Sequence, residues 1–245
     1  NALLELFDDT EENSTTTALS TEALLSGIPY VAKDNICQKN RITSAGSRIL
    51  HNYKAPYAAT VIERLSSAGA ISLGRTNMDE FAMGGSGEYS AYGATHNPWD
   101  LKRSPGGSSA GSSAAVAAGL VPFALGSETG GSVRQPASFC NLVGMYPTYG
   151  RVSRYGLMAF ASSTDQIGVI SRTVYDNALV MSVIAGHDER DMTSLAEKKL
   201  LFTQELNSSL PKNIKIGILK DALEGDGIDP QVQARFKEAI ELIKK

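Results

Sequence analysis

The chain has 245 residues, of which 42% are hydrophobic, 20% charged and 7% aromatic, the profile of an ordinary globular protein. At this size folding buries roughly 73% of the unfolded chain's surface, so a core needs no disulfide or metal staples. Lys and Arg number 23 against 26 Asp and Glu, a net charge of −3 that lacks the basic excess of a surface built to grip nucleic acid. The longest apolar-looking stretch, residues 114–126, is interrupted by Gly119 and Pro122 and is too short to cross a bilayer, so no membrane partner is expected. No basic stub followed by an apolar run opens the chain, and Cys37 and Cys140 read as reduced thiols, which together point to a cytoplasmic protein.

Residues 1–26, rich in Thr, Ser and Glu, read as a frayed or helical lead-in, with the domain proper over residues 27–245. Residues 28–33 (IPYVAK) are a short buried-strand candidate. Thr60 is predicted to cap a helix carrying Val61, Ile62, Leu65 and Ala68 on one side, with Gly69 ending it and residues 70–73 forming the next strand. A short helix is expected over residues 78–83, closed by Gly84-Gly85. Residues 112–118 are expected to be helical and residues 121–125 to return as a strand. Thr173 caps a long predicted helix with Val174, Ala178, Met181 and Ala185 at helical spacing, ended by Gly186. Residues 213–219 (NIKIGIL) read as a strand. Asp229 then caps a helix whose first position is Pro230 and whose Val232, Phe236, Ala239, Ile240 and Ile243 share a face. Strands alternating with helices imply an α/β layer fold with a largely parallel or mixed sheet. The chain opens on Asn1 and stops after a strand-plus-helix pattern, which reads as part of something longer.

Residues 104–119 (SPGGSSAGSSAAVAAG) are almost entirely Ser, Gly and Ala. A flexible linker is the bland reading, but the run passes directly into apolar residues 114–118 with no domain boundary on either side. A phosphate loop would need a Gly-Lys-Ser/Thr ending and a preceding strand, and neither is present. Gly107-Ser108-Ser109-Ala110-Gly111 satisfies the G-x-S-x-G pattern of a nucleophile elbow, yet it follows polar turn material and lacks a well-placed His. A second segment, Gly126-Ser127-Glu128-Thr129-Gly130-Gly131-Ser132, follows a strand candidate. Its glycines allow successive backbone amides to face one concavity, with a Ser where a nucleophile would sit. On these residues alone a tight structural turn is the simpler reading.

Taken together, these segments resemble the amidase signature family. Gly106 to Ser112 is similar to the family's Gly/Ser signature, Thr129-Gly130-Gly131-Ser132 to its nucleophile turn, and Val31-Ala32-Lys33-Asp34-Asn35 to the strand end bearing its lysine. Lys33 and Ser108 stand 75 positions apart and Ser108 and Ser132 stand 24 apart, in keeping with a Ser-Ser-Lys triad. Glu128 stands where Asp is usual, Ala110 where Gly is usual, and Met145-Tyr146 where Leu-Lys is common. Family members run to roughly twice this length, and their substrate-gripping residues lie mostly outside the part matched here. The resemblance implies a mixed β-sheet core covered by helices on both faces, incomplete in this chain. It implies that Lys33 is the base, that Ser108 relays a proton from within a cis peptide, and that Ser132 is the nucleophile. It also implies an oxyanion hole at Thr129, Gly130 and Gly131, with Met83, Gly84 and Ser109 contacting substrate. Residues 74–83 (GRTNMDEFAM), 97–100 (NPWD), 132–136 (SVRQP) and 147–168 are most similar to the glutamine-hydrolysing subunits of tRNA-dependent amidotransferases. That likeness implies glutamine as substrate and ammonia supplied for converting Glu-tRNA(Gln) to Gln-tRNA(Gln). Two partner subunits are implied, one of which uses ATP and Mg²⁺ and does most of the tRNA binding. No cofactor or metal is expected in this chain, whose three His residues are isolated. A stand-alone amidase on another small amide, or a silent chain retaining an interaction surface, are the alternatives.

The residue types suit the chemistry. A serine hydroxyl is a weak nucleophile until a base takes its proton. A lysine serves as that base only when neutral, and moving its pKa from about 10.4 to about 7.4 takes roughly 4 kcal/mol, which burial behind an apolar strand supplies. Each residue also has a bland alternative. Lys33 fits a surface pair with Asp34, Ser108 and Ser109 a solvated loop or helix cap, and Ser132 a cap before Val133. Arg134 fits a structural ion pair, and Cys140 the core.

Overall fold

The structure is a computed structural model that describes residues 1–8, 23–197, 200–206, 214–224 and 227–244. They fall into two units, Asn1–Asn207 and Ser208–Lys245. The first unit runs β1 (Leu3–Leu6), β2 (Pro29–Lys33), α1 (Thr60–Ser67), β3 (Ile71–Thr76), α2 (Ala110–Ala117), β4 (Phe123–Glu128), α3 (Arg134–Phe139), β5 (Val143–Met145), β6 (Gln166–Ser171), α4 (Val174–Ile184) and the short α5 (Phe202–Glu205). The second contains α6 (Asp221–Glu224) and α7 (Pro230–Ile243).

The sheet order is β1-β3-β2-β4-β6-β5. Central β2 pairs parallel with β3 and β4, whereas β1, β6 and β5 join antiparallel at the two sides. Side chains of a strand alternate between faces, and here both faces are covered. Tyr30, Ala32, Phe123, Leu125, Ile167 and Val169 pack with Val61 and Leu65 of α1 and Val180, Met181 and Ile184 of α4. The Tyr30 and Phe123 rings stack at 5.4 Å within that layer. Val31, Ala124 and Ile170 face the other way, against Ala115 and Val116 of α2 and Ala137 of α3. This is the mixed sheet with helices on both faces that the sequence implied. By the same alternation Lys33 shares the face of Val31, under α2 and α3.

Several expectations need correction. The lead-in opens with β1, held by Phe7 N–H donating to Leu73 O at 2.9 Å and by an Arg75–Glu5 ion pair. Four residues are too few for strand periodicity to show; the remainder of the segment, residues 9–22, lies outside the described residues. Thr60 begins α1 without capping it: Ala59 is the cap residue, and the Thr60 hydroxyl donates to the Asp188 carboxylate instead. The helix expected over residues 78–83 is a single 3₁₀ turn, Glu80–Ala82, with Phe81 and Ala82 at φ of 52° and 62°. Asp79 explains it: its carboxylate accepts the Gly87 and Tyr89 amides at 3.1 and 3.0 Å, so the chain wraps around the side chain as a loop. Residues 214–219 form no ladder among the described residues, and Ile214, Ile216, Ile218 and Leu219 are exposed. A strand needs a neighbour for its amides.

Other expectations hold with shifted ends. The Thr173 hydroxyl accepts the Asp176 amide at 3.0 Å, and Asp229 accepts the Gln231 amide at 2.7 Å ahead of Pro230. The strand predicted to end at residue 125 continues to Glu128, and the helix predicted from residue 112 begins at Ala110. Cys37 and Cys140 are both free and buried. Among the described residues no helix is long and apolar enough to cross a membrane.

Candidate active site

Lys33 ends β2 with 0% exposure, buried beneath the Gly/Ser segment. Its Nζ donates to Ser108 Oγ at 2.7 Å and to Ser127 O at 3.1 Å. Loss of hydration pulls its pKa from 10.5 down to about 7, against the opposing pull of the Asp79, Asp165 and Glu128 carboxylates. The surface-pair alternative fails because Asp34 is occupied elsewhere. Its carboxylate accepts the Ser44 and Gly46 amides, the Ser44 hydroxyl and the Arg75 guanidinium, the last at 2.8 Å. Arg75 in turn bonds Glu5 at 2.7 Å, so the edge strand braces the loop that follows the lysine.

Ser108 is fully buried just ahead of α2, and the Gly107–Ser108 peptide is cis. Ser132 lies just before α3 and is 9% exposed. Its carbonyl accepts the Ser109 amide at 3.1 Å, which brings the two serine-bearing segments together through backbone. Among the described residues no hydrogen bond joins the Ser132 and Ser108 hydroxyls, so the side-chain link present is Lys33 to Ser108.

Glu128 organises the turn that carries Ser132. Its carboxylate accepts the amides of Gly131, Val133 and Arg134 at 2.8, 3.0 and 3.0 Å, and the Arg134 guanidinium as well. Burial raises its pKa, and these hydrogen bonds, that from Arg134 foremost, outweigh burial and hold it below the ordinary value. Arg134 is thus the structural ion-pair residue expected. Of the three expected oxyanion donors, Gly131 has its amide committed to Glu128. The amide of Gly130 has no partner among the described residues, and a Cβ built there meets nothing within 4 Å. Thr129 is anchored by its hydroxyl, which donates to Asp165 at 2.5 Å.

The whole chain, residues 1–245, matches the family described as Amidase. The chain belongs to the amidase family. It is 56% identical over 220 residues to the A subunit of glutamyl-tRNA(Gln) amidotransferase from Chromohalobacter salexigens, a match covering 90% of this chain and 45% of that one. The same protein of Gloeobacter violaceus is 56% identical over 221 residues, with the same coverage. Among solved structures, the A subunit from Thermotoga maritima superposes with a TM-score of 0.74 at 51% identity, covering 80% of this chain and 42% of that one. The peptide amidase of Stenotrophomonas maltophilia superposes at 0.71 with 42% identity, covering 74% and 39%. The chain therefore spans about half the length of the curated relatives it matches.

In this amidase fold the three residues expected to touch substrate lie in different environments. The Ser109 hydroxyl is buried, donating to Ser127 O at 3.2 Å and accepting the Ser127 amide at 3.3 Å; it staples α2 to β4. Gly84 packs on Asp79, where a Cβ would come within 2.5 Å of Cγ. Met83 is exposed and makes no hydrogen bond to the Lys33 and serine cluster. Cys140 belongs to the core: burial pushes its thiol up to about 11. Sequence reasoning missed Asp79, Asp165 and Gln135, all buried or half-buried polar groups that hold this amidase's loops. Asp79 accepts the Gly87 and Tyr89 amides, Asp165 the Thr129 hydroxyl and the nearby Phe160 and Ala161 amides, and Gln135 bonds the Gly107 amide and the Gly85 carbonyl, loop contacts that no helical or strand periodicity announces; the signal available was their place inside the family-like stretches.

Proposed function

We propose that the chain hydrolyses a carboxamide through Ser132, and that the amide is glutamine. The observation that carries the reading is a buried lysine whose pKa lies near 7, hydrogen-bonded at 2.7 Å to the serine of a Gly/Ser segment that abuts a second serine turn. Neutral Lys33 draws the Ser108 proton as Ser108 takes that of Ser132, and the Ser132 oxygen adds to the amide carbon. The oxyanion that forms is met by backbone amides at Thr129 and Gly130, each such donor worth about 3 kcal/mol. The C–N bond breaks as the proton returns through Ser108 to nitrogen, and ammonia leaves. Water, deprotonated by the same relay, then releases glutamate and restores Ser132.

The 56% identity to the A subunit of the amidotransferase supports a finer assignment. The ammonia would amidate Glu-tRNA(Gln) in a complex with amidotransferase subunits B and C, with ATP, Mg²⁺ and most tRNA contacts on the partner. Likeness to the peptide amidase favours one second reading, a stand-alone amidase acting on another amide. A panel of amides separates the two. Glutamine should be hydrolysed at least about tenfold faster than peptide amides, a selectivity of about 1.4 kcal/mol. Its turnover should rise when subunits B and C, Glu-tRNA(Gln) and ATP are added. Preference for peptide amides with no response to those partners would replace the amidotransferase assignment with the second reading.

A further inference from the structure

The two serines of the site stand on separate glycine-rich segments, and glycines cannot hold a position by side-chain packing. One residue grips both segments. Gln135, on the first turn of α3, accepts the Gly107 amide on Oε1 at 2.9 Å, and its own amide donates to Gly131 O at 2.8 Å. Gly107 directly precedes Ser108, and Gly131 directly precedes Ser132. The other end of the same carboxamide, Nε2, donates to Gly85 O at 2.9 Å. Residues 84–87, which include Gly85, form the loop that Asp79 also holds through the Gly87 amide, while the Asp79 amide donates to Ser108 O at 3.3 Å. The seat is tight: a Cβ on Gly106 would lie 2.8 Å from Gln135 Oε1 and 2.7 Å from Pro136 Cα.

We propose that Gln135 is a positioning residue of the hydrolytic site, setting Ser108 against Ser132 through Gly107 and tying the 84–87 loop to the same helix through Gly85. The proposal rests on Ser132 being the nucleophile. Glutamine suits the task because one planar group presents an acceptor to Gly107 and a donor to Gly85. A glutamate retains only the acceptor, and a methionine of similar length retains neither.

The test compares wild type, Gln135→Met, Gln135→Glu and Ser132→Ala in the same protein. Labelling of Ser132 by a small fluorophosphonate reads alignment of the serines without needing a glutamine pocket. Glutamine kcat and KM read the loop, and hydrogen exchange at the Gly107 amide reads the clamp itself. Gln135→Met should label about tenfold more slowly, the effect of losing one well-aligned hydrogen bond, with faster Gly107 exchange. Gln135→Glu should label within about threefold of wild type yet show a several-fold higher KM for glutamine, because only the Gly85 link is lost. Wild-type labelling in Gln135→Met, or unchanged Gly107 exchange, would each overturn the proposal. A wild type that labels no faster than Ser132→Ala would defeat the nucleophile assignment itself, a result distinct from a labelled wild type with an equally labelled Gln135→Met.

Discussion

Lys33→Met is expected to lower amide hydrolysis about 10²- to 10⁴-fold at pH 8, the usual contribution of a positioned general base, while leaving the protein folded. The pairing of outcomes follows from burial. With its pKa near 7, the folded wild-type amine is mostly neutral at pH 8, so methionine removes a base and two hydrogen bonds, and with them the cost of stripping the ammonium's proton on folding, which is still largely present at that pH. Wild-type activity should rise with pH through about 7, as the ammonium is lost, and the variant should show no such limb. Stability moves in the same direction. The lysine titrates near 10.5 when unfolded and near 7 when folded, so between those values the unfolded chain binds the extra proton. The destabilisation from burying this ammonium is therefore complete below about pH 7 and relieved as pH rises toward about 10.5. Denaturant midpoints across that window, wild type minus Lys33→Met, read this contribution free of the other lysines. A wild-type activity profile flat from pH 6 to 9 would contradict the base assignment.

Ser108→Ala is expected to be as damaging as Lys33→Met, and the double variant no worse than either alone. The lysine bonds Ser108 and not Ser132 among the described residues, so in the proposed relay removing the Ser108 hydroxyl disconnects Lys33 from Ser132. Residues that act as one relay are strongly non-additive. Single-turnover hydrolysis by the three variants measures this. Losses that multiply in the double variant would mean that Lys33 and Ser108 act separately and that no relay runs through the serine.

The parts of this site that were readable from sequence are those whose chemistry is local. Lys33 follows an apolar strand, and an apolar strand buries its end. Ser132 follows four residues whose glycines and position after β4 announce a sharp turn. Glu128 was visible only as a departure from the usual Asp; that its carboxylate gathers three amides of the turn carrying Ser132 required the folded loop. Asp79 misled the reading of residues 78–83, since helical spacing of apolar residues says nothing of a carboxylate that recruits amides eight and ten residues away. The edge strand β1 escaped notice because four residues carry too little pattern, although its Glu5 braces Arg75 and thereby Asp34 beside the lysine. Residues 214–219 show the reverse error: their apolar alternation is genuine, but strand formation depends on a neighbour that alternation cannot supply.

Ammonia release from glutamine by the protein, beside its Ser132→Ala variant at pH 8, tests the central claim most directly. A covalent route through Ser132 predicts steady release by the wild type and loss to the level of buffer in the variant. Equal release by both would contradict it, placing the hydrolysis somewhere other than the Lys33, Ser108 and Ser132 cluster.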